Sequence, residues 1–272
     1  MIEDMSLKRS SSSRFLFRGN SASFSARLHM IAGQARSEIV GLPAASLTVA
    51  GGESRAKAGK GNYHDVFSWR SALCHSVGEA VGRNSFVTRT HAEIRSFTAN
   101  NKPHIFSAGD ILVTMMAEHS ANAQTRFTAT NLTFGGKPGL VLDGSPITLE
   151  YDDDISQYPD FLSFEAAYRK NKSFFAKHQF NIGKAAADAR FGSKLPRNGA
   201  GYVVTSLLSS VTWNGKTYPG NSLALKGFGR LHFGELALNE SNRRLTMVRL
   251  SLGCDNEGEG GIGEVDPNGS WG

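Results

Sequence analysis

His91, Glu93 and Arg95 stand two residues apart from one another, in the most chemically suggestive constellation of the sequence. In an extended chain, side chains at period two share a face. An imidazole, a carboxylate and a guanidinium side by side could perform acid–base work on a small anionic or carbonyl substrate. These three are therefore the candidate catalytic set. The same pattern also fits the solvated face of a half-buried strand. Glu118 and His119 are adjacent, so on a strand they point to opposite faces. His119 shares a face with Val113 and Met115, which places it at a sheet rim as a candidate binding residue. A metal bridging His91, His119 and Glu93 would require those strands to pair and the ligands to converge. The spacing does not supply that convergence, and no metal set is assigned.

The stretch Gly227-Phe228-Gly229-Arg230 to Gly234-Glu235 is the second candidate. Its glycines permit a bulge or a close backbone approach. Strict alternation puts Arg230, His232 and Gly234 on one face and Leu231, Phe233 and Glu235 on the other. A carboxylate on an apolar face needs a partner, and Arg244 or Arg249 on the following strand can supply it. Arg230 and Glu235 are thus candidate binding residues, or members of an ion pair within the sheet. Asp152-Asp153-Asp154, near Glu150 and Asp160, lacks calcium-loop spacing and reads as a solvated acidic loop. There is no G-x-G-x-x-G, phosphate loop, nucleophile elbow or H-E-x-x-H, which lowers the odds of the nucleotide and zinc enzymes that use them. The cofactor, if any, is unknown from the sequence.

The elements that position these residues are mainly strands. Alternation marks Ala22 to Leu28, Ser85 to Phe97, Asp110 to His119, Arg126 to Phe134, Ile147 to Tyr151, Val203 to Trp213, Arg230 to Leu238 and Arg244 to Leu250. Asn214-Gly215 is a strong hairpin turn. Two helices are predicted. One spans Asp65 to Val81, with Val66, Trp69, Leu73 and Val77 near one stripe. The other covers 160–180, with Phe161, Phe164 and Tyr168 on one face. Gly51-Gly52 through Lys60-Gly61 reads as a long charged loop.

The chain has 272 residues, of which 30 are glycine, and a net charge of +6. That length can hold a core without staples, and that much glycine without a triplet period points to many turns. The expected fold is all-β or mainly β: a single many-stranded antiparallel sandwich or barrel decorated with one or two helices. The expected organisation is a flexible basic arm over 1–20, one domain over 21–253, and a mobile, acidic, Gly-rich tail over 254–272. Residues 254–272 carry five acids and no base. Cys74 and Cys254 form neither a disulfide framework nor a zinc pattern. Cys74 reads as a small buried hydrophobe, with a bridge to Cys254 as the alternative. No signal-length or membrane-length apolar run is present, so the expectation is no membrane and, by default, the cytoplasm.

The functional expectation is a non-catalytic, self-associating or ligand-binding β protein whose ligand is unknown. A small-molecule enzyme using His91, Glu93 and Arg95 is the alternative. Weak nucleic-acid binding is a further one, through Arg9, Arg14, Arg18 and Arg27 interleaved with Phe15, Phe17 and Phe24. The opposed terminal charges suggest a homo-oligomer or a protein partner, and nucleic acid is the less favoured partner.

Overall fold

The computed structural model describes residues 15–121, 123–151, 163, 166, 170, 181–182, 203–238, 243–253 and 256–271. Its strands run β1 (Phe15–Ile31), β2 (Gln34–Gly41), β3 (Ala44–Ser46), β4 (Gly52–Ala58), β5 (Gly61–Tyr63), β6 (Phe67–Trp69) and β7 (Ser71–Gly82). Then come β8 (Ser85–Asn101), β9 (His104–Ser120), β10 (Ala123–Leu142), β11 (Ser145–Tyr151), β12 (Asn181–Ile182) and β13 (Val203–Ser206). The last are β14 (Leu208–Trp213), β15 (Lys216–Pro219), β16 (Ser222–Leu225), β17 (Gly229–Leu238), β18 (Arg243–Leu252) and β19 (Glu257–Trp271).

They form two antiparallel sheets in a sandwich-like, all-β architecture. The first has the order β12-β13-β17-β18-β19-β1-β2, with β16 beside β17 and β3 beside β1. The second runs β15-β14-β11-β10-β9-β8-β6-β5, with β7 between β4 and β8. The apolar core lies between them and draws Phe24, Leu28, Phe233 and Val248 from the first sheet and Ile94, Phe97, Phe106 and Ile111 from the second. Hydroxyls stitch the layers where small residues meet: Ser21 Oγ lies 3.1 Å from Ser76 Oγ, and Thr88 Oγ1 donates to Asn268 O at 3.1 Å.

Both sheets turn their alternation inside out along a line that crosses the strands. In β1 the buried set passes from Phe15, Phe17, Ser21 and Ser23 to Phe24, Ala26 and Leu28. In β19 it passes from Ile262 to Val265 across Gly263, at φ +63. In β17 it passes from Leu231 and Phe233 to Leu236 and Leu238 across Gly234, at φ +57. The pairings Phe24↔Ile262, Ile262↔Val248 and Val248↔Phe233 align these switches across four strands. In the second sheet the switch falls at Ser96 of β8, at φ 52, and Gly109 of β9. The left-handed Gly234, Gly263 and Ser96 reverse which face their neighbours take, and glycine adopts that conformation with least strain. A Cβ on Gly263 would also meet Met247 Cβ at 3.2 Å. Gly263→Ala is therefore expected to cost about 1–2 kcal/mol. Urea unfolding checks this, and an unchanged midpoint would refute the strain argument.

Four sequence expectations are corrected. Asp65 to Val81 is not a helix but includes β6 and β7. The stripe of Val66, Trp69, Leu73 and Val77 is a coincidence of spacing, because the residues that face inward are the small ones, among them Ala72, Cys74 and Ser76. They allow β1 to lie close, and a Cβ on Gly78 would come within 2.7 Å of the Phe17 ring. The charged loop after Gly51 is largely strand, since β4 pairs with β7 from Gly52↔Gly78 to Ala58↔Ala72. Residues 15–20 are not an arm, because they pair with β19 from Phe15↔Trp271 to Asn20↔Asp266. The acidic tail is not mobile over 257–271. It is β19, held between β18 and β1. The second predicted helix, the acidic run 152–154 and Cys254 lie outside the described residues, apart from Ser163, Ala166 and Lys170, which are helical. Among the described residues no helix is long and apolar enough to cross a membrane.

Candidate functional site

A groove of ≈340 Å³ opens on the outer face of the first sheet, over β17, β18, β19, β1 and β2. Strand register builds it row by row. Glu235 pairs with Thr246 and Thr246 with Glu264. In the next row, His232 pairs with Arg249, Arg249 with Gly261, and Gly261 with Ser25. A third row carries Ser251, Glu259 and Arg27. Gly261 leaves the middle of the floor without a side chain. A Cβ there would lie 2.4 Å from Glu264 Oε1, so the missing side chain is what admits the Glu264 carboxylate.

Glu235 is the buried charge of this groove, at 6% exposure. Alternation alone places it with Leu231 and Phe233, facing the core. The positive φ of Gly234 instead turns it outward, onto the face of His232 and Arg249. Arg249 Nε donates to Glu235 Oε2 at 3.2 Å, as the sequence expectation of an Arg249 partner requires. His232 Nδ1 lies 3.9 Å from the same oxygen. Burial lowers the Arg249 pKa, and the nearby Glu259 charge raises it. Arg244 reaches the other way, its Nη2 4.0 Å from Asp266 Oδ2. Burial chiefly, and the Glu264 charge, push Asp266 up to about 6, against Arg244 and an Asn20 hydrogen bond that pull it down.

Arg230 does not join Glu235. It is exposed and lines a separate shallow depression with Lys226 and Ser251. His119 lies between the two sheets, on the inner face of β9. It is 4% exposed, with its ring centroid 4.8 Å from that of Phe15 and 6.5 Å from that of Phe127. Its Nδ1 is 3.1 Å from Thr125 Oγ1. Burial alone drives its pKa down to about 4. His119 thus packs inward among aromatic rings rather than at an exposed sheet rim.

His91, Glu93 and Arg95 do share the outer face of the second sheet, because β8 is extended from Ser85 to Asn101. His91 Nδ1 is 2.8 Å from Thr114 Oγ1, and its Nε2 is 3.8 Å from Glu93 Oε2. Arg95 Nε donates to Glu93 Oε1. His75 is the cross-strand neighbour of His91, and its Nε2 lies 2.8 Å from Glu53 Oε1. Burial, then the His75 charge, lower the His91 pKa against the opposing pull of Glu93. His91 faces out and His119 faces in, so the two cannot share a metal with Glu93. Among the described residues no group of three or more His, Cys, Asp or Glu could hold a metal ion.

The basic and aromatic residues of the head also separate. Phe15, Phe17 and Phe24 are buried, while Arg18 and Arg27 are exposed. The rings cannot stack on bases. Cys74 is free and fully buried. Its Sγ donates to Pro43 O at 2.9 Å, and burial pushes the thiol pKa up. Such a thiol is a packing element rather than a nucleophile.

Sequence reasoning found Glu235 with Arg249 and Arg244 as its candidate partners but missed Glu259, Glu264 and Gly261 as members of one groove. The alternation of Glu257, Glu259 and Gly261 was a legible signal of a strand with an acidic face. The glycine content masked it.

The fold and groove define an all-β two-sheet sandwich with a charged cleft on one outer face. The chain belongs to the family described as Domain of unknown function (DUF8256), whose model matches residues 15–239. That match ends between β17 and β18, so the two strands that complete the groove follow it. No curated protein and no solved structure matches the chain.

Proposed function

We propose that the protein is a non-catalytic ligand-binding β sandwich whose ligand seats in the groove over β17, β18, β19 and β1. The observation that carries this reading is Glu235. Its carboxylate is almost fully buried, yet it faces the outer side of the sheet, beneath an open cleft and against Arg249. A charge in that position is fixed before any ligand arrives, and preorganised polar groups in a cleft are what confer orientation on a bound molecule. The cleft volume falls within the usual range of small-ligand sites, ~300–1,000 Å³.

The acid–base alternative has less support. Glu93 is engaged by Arg95, and Nδ1 of His91 faces Thr114. The opposed-charge route to self-association also loses its motive, because residues 257–271 are a strand inside the first sheet.

A fragment library screened by NMR against the full chain tests the reading. Hits are expected to shift the Gly261 and Thr246 amide signals. Ser25→Trp fills the cleft from an exposed position, so it should remove those shifts while leaving the fold intact. Hits that persist in Ser25→Trp, or no hits at these amides, would overturn the proposal.

A further inference from the structure

We infer that the groove recognises a zwitterionic ligand of the amino-acid or short-peptide class, with Arg249 taking its carboxylate and the Glu264 side taking its ammonium group. This rests on the ligand-binding reading above and narrows it to one chemistry. The groove is charged, but its charges balance. Arg27, Arg244 and Arg249 stand against Glu235, Glu259 and Glu264 in its lining. A polyanion such as a nucleic acid or a polyphosphate would meet three carboxylates in the same cleft, and like charges brought together in a partly dry site are costly. A polycation would meet three guanidinium groups. Only a molecule carrying both signs, separated along its length, satisfies the lining.

The orientation follows from how each group is already engaged. The guanidinium carries five N–H donors in a planar fork. In Arg249, Nε is committed to Glu235 at 3.2 Å, and the Nη donors make no hydrogen bond to any described residue. The buried Glu235 therefore anchors one edge of the fork and leaves the other for a carboxylate, which matches that geometry in bidentate fashion. Burial of Arg249, with 19% of its side chain exposed, reduces the competition from water for that edge.

The ammonium side is built by Glu264 over Gly261, the cross-strand neighbour of Arg249. The Glu264 carboxylate lies over the glycine, where, among the described residues, its Oε1 accepts only a long 3.5 Å hydrogen bond from Thr246 Oγ1. Its acceptor capacity remains open to an ammonium group. Gly261 stands between Arg249 and Ser25 in the same row, so a ligand ammonium group crossing the floor there meets the Glu264 carboxylate directly.

The test is an NMR titration of the full chain, read at the Arg249 Nε–H and Gly261 amide signals. The probes are trialanine, N-acetyl-trialanine, trialanine amide and N-acetyl-trialanine amide, with sodium acetate and inorganic phosphate as simple anions. Saturable shifts are expected with trialanine, at least tenfold weaker binding when either terminus is capped, and none when both are capped. Arg249→Lys keeps the charge but not the fork, and it should weaken trialanine at least tenfold. Arg27→Gln, at an exposed position, guards against a folding artefact and should weaken binding by a smaller factor. Equal binding of the doubly capped peptide, or tighter binding of phosphate than of trialanine, would overturn the zwitterion inference and leave the binding groove standing. Silence toward every peptide probe would overturn it as well. The fragment screen then decides separately whether the groove binds ligands at all.

Discussion

Replacing Glu235 by leucine is expected to destabilise the protein by about 3 kcal/mol, and replacing Arg249 by methionine by a similar amount. Each single change removes the charged hydrogen-bond partner of a largely buried group. Glu235 keeps 7% of its side-chain surface and Arg249 19%, so water cannot restore what the partner supplied. In a chain of this size that loss corresponds to a fall in Tm of roughly 5 °C. The double variant Glu235→Leu/Arg249→Met should recover most of the loss, because two apolar side chains of similar volume replace the pair without leaving a charge behind. A double-mutant cycle from chemical denaturation measures the coupling. Single variants within about 0.5 kcal/mol of the parent would show that the pair does not hold the sheet, and strictly additive losses would show that the two residues act apart. The expected result has a functional corollary. A double variant that is stable but binds nothing would assign the pair to recognition rather than to architecture.

Acidification should weaken the fold through His119. Its ordinary pKa of 6.5 falls to about 4 in the folded state. A histidine held neutral in the folded chain but free to protonate when unfolded makes the unfolded state bind more protons across that window. Stability is therefore complete above pH 6.5 and is lost progressively as pH falls toward 4. The full window is worth about 3 kcal/mol. Asp266 works in the opposite direction. Its carboxyl is raised to about 6, so the folded state takes up a proton earlier than the unfolded one, and its contribution becomes more favourable as pH falls. For this reason the informative quantity is the difference between the parent and His119→Leu, not the absolute profile. That difference should shift by about 2–3 kcal/mol in favour of the variant between pH 7 and pH 4.5, measured by urea unfolding. Parallel profiles would mean that His119 is not kept neutral by its aromatic surroundings.

Much of the β architecture was legible because it depends on local chemistry. Asn214-Gly215 takes positive φ at both positions, 51 and 72, and joins β14 to β15 as its sequence predicts. The alternation of Ser85 to Phe97 and of Asp110 to His119 became β8 and β9, paired without a register break. The face shared by His91, Glu93 and Arg95 followed from the same rule. The failures share one physical origin. Small residues in β7 carry a weak alternation signal, so a coincidental helical stripe outweighed it, although only small side chains fit beneath Phe17. Glycine in β19 carries almost no pattern. Its strand character comes from pairing on both sides, with β18 just before it and with β1 from the other end of the sequence. Glu235 was read on the correct strand and with a correct partner, but on the wrong face, because period two assumes an unbroken pleat.

By itself the sequence determined that this chain forms many antiparallel strands, that it turns at Asn-Gly and Gly-rich punctuation, and that Glu235 needs an arginine. These are consequences of backbone preference, side-chain period and the cost of burying charge, and each acts over a few residues. Only the tertiary structure decided that the acidic terminal segment is an interior strand, that Gly234 and Gly263 reverse the faces of two strands in register, and that Glu235, Arg249 and Glu264 meet in one cleft. Those outcomes depend on which distant strands pair and where their pleats switch together. Register across a sheet is fixed by the packing of both layers, and no single segment encodes it.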